Sequence, residues 1–210
     1  MRSIVLASAN GKKIAELKEL LRRDEIDLIG LDSYPGIGDI VEDGHSFEEN
    51  ALIKARTVWR HTGKLVLADD SGLEVDALGG APGIFSARYA GPKKDDVGNY
   101  RKLLHELRDV PESKRTARFH CVLALVGLDS NGQYFEKTFD GKCEGRIAFE
   151  PRGRHGFGYD PVFFLPEYGC TSAELDPEIK NRISHRADAM RKFLQWIEAT
   201  PSTLTVNPDS

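Results

Sequence analysis

The opening of the chain constrains the fold more than any other stretch. Ser3–Ala7 (SIVLA) is a short apolar run, and Ser8, Ala9, Asn10 and Gly11 follow it as a small polar turn. From Lys12 to Leu21 the apolar residues are Ile14, Leu17, Leu20 and Leu21, a spacing that lays one stripe along a helix. A buried strand feeding a helix through so short a turn points to an α/β fold.

The rest of the chain extends that pattern. Residues 26–31 read as a second strand and 32–45 as a loop. Ser46 and Glu49 form an S-x-x-E capping box, each side chain expected to satisfy an N–H at the head of a helix that runs to about His61 and stops at Gly63. Leu65–Ala68 (LVLA) is a buried strand that ends in Asp69 and Asp70, and a short extended segment and a Gly/Pro-rich turn follow. Asp95–Leu107 reads as a helix. Ala117–Leu128 and Tyr134–Phe149 read as two longer strands, and Asn131-Gly132 between them is a hairpin signal. Asp176 and Pro177 head a last helix through about Trp196, and the final ten residues read as a flexible tail. Two lobes are expected within residues 1–200: a parallel-strand core built from both chain ends, and a second lobe carrying the middle hairpin.

Composition excludes several function classes. With 210 residues and 40% hydrophobic content the chain can bury a substantial core. Its charge of 29 − 33 = −4 is wrong for a protein that holds nucleic acid by general electrostatics, so no nucleic-acid partner is expected and a phosphate ligand must meet local positive charge. Cys121, Cys143 and Cys170 are odd in number and widely spaced, which indicates neither a zinc site nor a disulfide framework. The apolar run after Arg2 and Ser3 is too short for a signal peptide, and no stretch is apolar enough to span a membrane. The expected location is the cytoplasm.

Five clusters carry candidate chemistry. In SANGKK (8–13), small residues and a helix N-terminus suit an anion, with Lys12 or Lys13 adding charge; the same residues read as an Asn10 helix cap with solvated lysines. The Walker pattern G-x-x-x-x-G-K-[ST] is absent. In ADDSG (68–72), two adjacent carboxylates repel unless a cation or proton lies between them, and magnesium takes few protein carboxylates plus substrate phosphates. The spacing does not fit the D-x-D-x-[TV] of haloacid-dehalogenase phosphatases, receiver domains are about half this length, and Glu48-Glu49 lacks the glutamate run of a Nudix helix. Glu42 before the second helix and Asn50 and Lys54, four apart on one face of it, could serve one metal–phosphate site; a loop acid and a solvated helix face are the plainer readings of each alone. GFGYD (156–160) sets an aromatic ring between glycines, a slot for a planar base or a structural turn, with Asp160 as an acceptor for a base edge. Lys180 and Ser184-His185-Arg186 supply donors for purine carbonyls or phosphates, or a charged helix face.

Taken together the clusters resemble the inosine/xanthosine triphosphate pyrophosphatases. The likeness runs through SANGKK, SFEENALIKA (46–55), LADDSGLEVDALGGAPGIFSARYAG (67–91), RFHCVLAL (118–125), GFGYDPVFF (156–164) and AELDPEIKNRISHRADAM (173–190), in order over nearly the whole chain. Ser-Ala stands where Thr-Gly or Thr-Asn is more usual before Asn10.

The resemblance implies an elongated two-lobed α/β protein with a mixed sheet, flanking helices and a central active-site cleft, usually a homodimer. It implies hydrolysis of ITP, dITP and XTP between the α- and β-phosphates. By position, Ser8, Ala9, Asn10, Gly11, Lys12 and Lys13 would hold the triphosphate and Lys54 would neutralise it. Glu42 and Asp70 would hold Mg2+ with Asp69 in support, and Asp70 would be the general base. Ser71 would touch substrate. Phe157, Gly158, Tyr159 and Asp160 would form the base pocket, completed by Lys180, His185 and Arg186. Donors from His185 and Arg186 suit a 6-oxo purine and oppose the 6-amino group of adenine. The readings that compete are a nucleotide sensor without turnover, a nucleic-acid module built on the aromatic loop, and a pyrophosphatase for modified pyrimidines.

Overall fold

A computed structural model describes residues 2–21 and 26–200; the tail expected from 201 lies outside the described residues. Strand β1 (Arg2–Ala7) enters helix α1 (Gly11–Leu20), and β2 (Ile26–Ile29) follows. Helix α2 (Phe47–Thr62) precedes β3 (Val66–Val75), and α3 (Asp96–Glu106) precedes the long strands β4 (Thr116–Leu128) and β5 (Tyr134–Ile147). Two short strands, β6 (Phe163–Leu165) and β7 (Cys170–Thr171), and two helices, α4 (Pro177–Ile183) and α5 (His185–Ala199), complete the chain. The strands form one mixed sheet in the order β2-β1-β3-β4-β5-β6-β7.

The chain divides into two compact units. The first comprises the described residues within Met1–Asp70, Val122–Gly141 and Ala189–Ser210. Here β1 pairs in parallel with β2 and with β3, the latter register ending at Ala7 opposite Ala68. Buried on both faces, such strands read as continuous apolar runs, and Ile4–Ala7 and Val66–Ala68 are all buried. Leu17 and Leu21 from the predicted α1 stripe and Ala51, Ala55 and Val58 from α2 fill the same core. The second unit, Ser71–Cys121 with Lys142–Asp188, centres on Leu73, Val75, Leu103, Ile147 and Phe163 and carries the antiparallel pairs of β5 with β6 and β6 with β7. The middle hairpin, expected in one lobe, runs through both units: its tip belongs to the first and its base to the second.

Several local expectations change in instructive ways. The strand expected to stop at Ala68 continues through both aspartates to Val75. Ser46 Oγ accepts from the Glu49 N–H at 3.1 Å, but Glu49 returns to the N–H of His45, not to that of Ser46, at 2.6 Å. Asn131 lacks the positive φ that a two-residue Asn-Gly turn requires; only Gly132 has it, at 75°. The turn is instead organised by Asp129 Oδ1, which accepts from the N–H groups of Asn131 (2.8 Å) and Gln133 (2.9 Å). The last helix is two helices. Ser184 is extended (φ −66°, ψ 155°), ends α4, and accepts the Ala187 N–H on its side chain at 3.1 Å, so it also caps α5.

Candidate active site

The acidic cluster forms in the first unit because β3 outruns its partner. Parallel pairing with β1 ends at Ala68, and Asp69 and Asp70 are the next two residues, at the carboxyl end of the paired segment where open α/β sheets present their ligand sites. Both are buried, at 2% and 7% exposure. Lys54, in α2 and only 8% exposed, reaches between two carboxylates. Its Nζ donates to Asp70 Oδ1 at 2.8 Å and to Glu42 Oε2 at 2.9 Å. Lys13 of α1 donates to Asp69 Oδ1. Four elements thus bring Glu42, Lys54, Lys13, Asp69 and Asp70 into one network of alternating charge.

Electrostatics separate the roles of the carboxylates. Burial disfavours ionisation of Glu42, but the Lys54 ammonium outweighs it and holds this carboxyl below the ordinary value of 4.5. At Asp70 burial dominates: the carboxyl is pushed above its ordinary 3.8 despite Lys54 and Lys13. Burial also works against the charged form of Lys54, yet Asp70 and Glu42 raise its pKa, so it stays an ammonium.

The donor set suits a hard divalent cation that shares its shell with substrate. Asp70 Oδ2 is buried and makes no hydrogen bond, so it has a lone-pair site to offer. Among the described residues no three His, Cys, Asp or Glu side chains gather closely enough to hold a metal alone. Magnesium fits that shortage, because it keeps waters and binds through one or two carboxylates plus phosphate oxygens.

The SANGKK turn combines both of its readings. Asn10 caps α1, its Oδ1 accepting the N–H groups of Lys12 (3.1 Å) and Lys13 (3.3 Å), while Ser8 Oγ accepts the Asn10 N–H at 3.2 Å. Ala9, Asn10, Gly11 and Lys12 are exposed, so this helix N-terminus faces solvent, while Lys13 pairs with Asp69.

The aromatic loop occupies the second unit. Gly156 and Gly158 have φ of 76° and 62°, and a Cβ on Gly156 would fall 2.1 Å from Asp160 Oδ2, so glycine is required there. Phe157 and Asp160 close a tight turn in both directions: Asp160 Oδ2 accepts the Phe157 N–H at 2.8 Å, and Phe157 O accepts the Asp160 N–H at 3.2 Å. Lys180 Nζ donates to Asp160 Oδ2 at 2.7 Å and lies 5.2 Å from the Phe157 ring centroid, a cation–π arrangement. Tyr159 points inward and donates to Ser86 O at 2.8 Å.

Beside this loop, Asp160, Lys180, Ser184 and His185 line a cavity with Phe119 and Cys143. His185 stacks on Phe119 at 4.9 Å and 15°. Arg186, 2% exposed, donates to Ser71 Oγ at 2.9 Å. The break at Ser184 is what places His185 and Arg186 in the first turn of α5. Phe119 was not a sequence candidate; the alternation of Ala117, Phe119 and Cys121 against Arg118 and His120 is the signal that marks it as inward-facing. Burial pushes the Cys143 thiol up to about 11, so it meets the cavity as a neutral S–H and not as a nucleophile.

Paired carboxylates and lysines beyond a parallel strand, and a cavity lined by polar and aromatic side chains, are the features of an α/β enzyme that acts on phosphate compounds. More particularly, the chain belongs to the Ham1 family, whose sequence model matches residues 4–196. It is 50% identical over 192 residues (91% of this chain, 94% of the other) to the dITP/XTP pyrophosphatase of Desulforamulus reducens, and 47% identical over 201 residues (95% and 98%) to that of Bacillus subtilis. Among solved structures it is similar to a Ham1 protein from Coxiella burnetii, with 47% identity, coverage of 95% of this chain and 100% of that one, and a TM-score of 0.85.

Proposed function

We propose that this chain hydrolyses ITP, dITP and XTP to the nucleoside monophosphate and pyrophosphate, removing non-standard purines from the nucleotide pool. The observation that carries the reading is Lys54 held between Glu42 and Asp70 while Lys13 holds Asp69. A triphosphate brings strong negative charge, and lysines at buried carboxylates are the groups that exchange partners to receive it. Glu42 and Asp70 would hold a magnesium ion, which would neutralise phosphate charge and favour departure of pyrophosphate. Asp70 takes the proton from the attacking water, a role suited by a pKa raised above the ordinary carboxylate value. Asp69 keeps Lys13 oriented, and the Ser8 hydroxyl, beside the solvent-facing N-terminus of α1, donates to a phosphate oxygen.

In the second unit the Phe157 ring offers a stacking face, and Lys180 with His185 offers donors to a 6-oxo purine. Adenine presents a 6-amino donor to those donors, and the unpaired buried groups reject it. Ser71 holds Arg186 in place to complete that set. A homodimer in the cytoplasm is the assembly and location that accompany this reading.

Hydrolysis of ITP in ¹⁸O-labelled water tests the bond cleaved. Attack on the α-phosphorus puts the label in IMP and leaves pyrophosphate unlabelled. Labelled pyrophosphate, or release of inorganic phosphate with IDP, contradicts the proposal.

A further inference from the structure

The Gly156–Asp160 loop is anchored residue by residue, and one anchor comes from a helix outside the clusters considered so far. Phe157 N–H is held by Asp160, the Tyr159 hydroxyl by Ser86 O, and the Asp160 carboxylate by Lys180. The remaining central amide, Gly158 N–H, is taken by Asp96 Oδ2 at 3.1 Å, across 62 residues of sequence. Asp96 is the first residue of α3, but it is not the cap: Asp95 performs that task, its Oδ1 accepting the Val97 N–H at 3.0 Å. The second acid of the Asp95-Asp96 pair is thereby available to the loop. Its helix is itself fixed. Asn99, 1% exposed, accepts the Ala90 N–H at 2.7 Å and donates to Ala87 O at 3.1 Å, which ties α3 to the segment that receives Tyr159.

We infer that Asp96 is a positioning residue for base selection: by fixing the Phe157–Gly158 peptide it sets the direction of the Phe157 ring and of the Asp160–Lys180 pair. The inference rests on the proposed function of the loop as a base pocket. Asp160 N–H holds the carbonyl of that peptide at 3.2 Å and Asp96 holds its N–H, so the two ends are fixed from opposite sides and the glycine at φ 62° is kept from turning the peptide over. A carboxylate accepting a backbone N–H makes the stronger, charge-assisted kind of hydrogen bond.

Steady-state kinetics with dITP, XTP and dATP on the wild type, Asp96→Ala and Asp96→Asn test this, together with amide hydrogen exchange at Gly158. In Asp96→Ala the KM for dITP rises about tenfold and the preference for dITP over dATP falls by a similar factor, with kcat changed by about twofold at most, the outcome of losing a ground-state contact worth one hydrogen bond. Asp96→Asn keeps an acceptor oxygen in place and stays within about threefold of the wild type. Gly158 exchange accelerates in Asp96→Ala only. An unchanged dITP/dATP preference in Asp96→Ala, or Gly158 exchange equal to the wild type, overturns the inference, as does an asparagine variant as impaired as the alanine one. Should Asp96→Ala not fold, Asp96→Asn with slowed base selection and exposed Gly158 contradicts the acceptor role by itself. Absence of dITP and XTP turnover by the wild type is a separate result, which defeats the proposed function and this inference with it.

Discussion

At the residue scale the site is a balance between burial and pairing. Lys54 touches two carboxylates from a position 8% exposed, and removing one member of a buried ion cluster leaves the others uncompensated. Lys54→Met is therefore expected to lower stability by about 3 kcal/mol in urea unfolding and to cut kcat/KM for dITP by about a hundredfold, an effect of the size expected for loss of one charged transition-state partner. Stability unchanged from the wild type contradicts the pairing. Asp70 gives a pH prediction with a definite sign. Its carboxyl must be ionised to accept a proton, and burial raises its pKa above 3.8, so activity falls as pH drops through that raised value. The acid limb of kcat/KM against pH should lie above 3.8, and a limb at or below that value speaks against Asp70 as the base.

At the element scale, apolar spacing and glycine placement made most of the framework legible. β1, α1, α2, α3 and the two long strands were readable because each buries one strong apolar pattern. What was not readable depended on partners distant in sequence. β3 passes through Asp69 and Asp70 because pairing, not composition, ends a strand. The α4–α5 break rests on a single extended serine inside an otherwise helical pattern, and Asp129 displaces Asn131-Gly132 as the organiser of its turn. Arg115 is the largest such omission. Only 1% exposed, it donates to the carbonyls of Leu107 (2.8 Å), Ile147 (2.9 Å) and Ala148 (3.0 Å), and so binds the end of α3 to the end of β5. Desolvation lowers its pKa from the ordinary guanidinium value, though it stays charged. Arg115→Ala takes the donor from the Ile147 and Ala148 carbonyls, while Leu107 O keeps the Val110 N–H, and is expected to cost about 3 kcal/mol, read as a lowered urea midpoint; a loss under about 1 kcal/mol contradicts the staple role.

At the scale of the whole molecule, a net charge of −4 coexists with local cationic groups placed by fold. Lys13 and Lys54 belong to one unit, and Lys180, His185 and Arg186 to the other, and in each unit carboxylates or stacked rings hold them in place. Among the described residues no helix is long and apolar enough to cross a membrane. The candidate site was legible in the sequence as motifs, since SANGKK, ADDSG, GFGYD and SHR are local strings. Phe119 and Asp96 were not: alternation along β4 marks Phe119 only as inward-facing, and a second acid beside a helix cap carries no signal until the chain folds.

The central claim is tested most directly by measuring pyrophosphate release from dITP and XTP beside dATP and dGTP, with and without magnesium, for the wild type and Asp70→Asn. Magnesium-dependent release from dITP and XTP, weak or absent with dATP and dGTP and lost in Asp70→Asn, is the predicted result. Equal turnover of all four would contradict base selection, and binding without turnover would contradict hydrolysis.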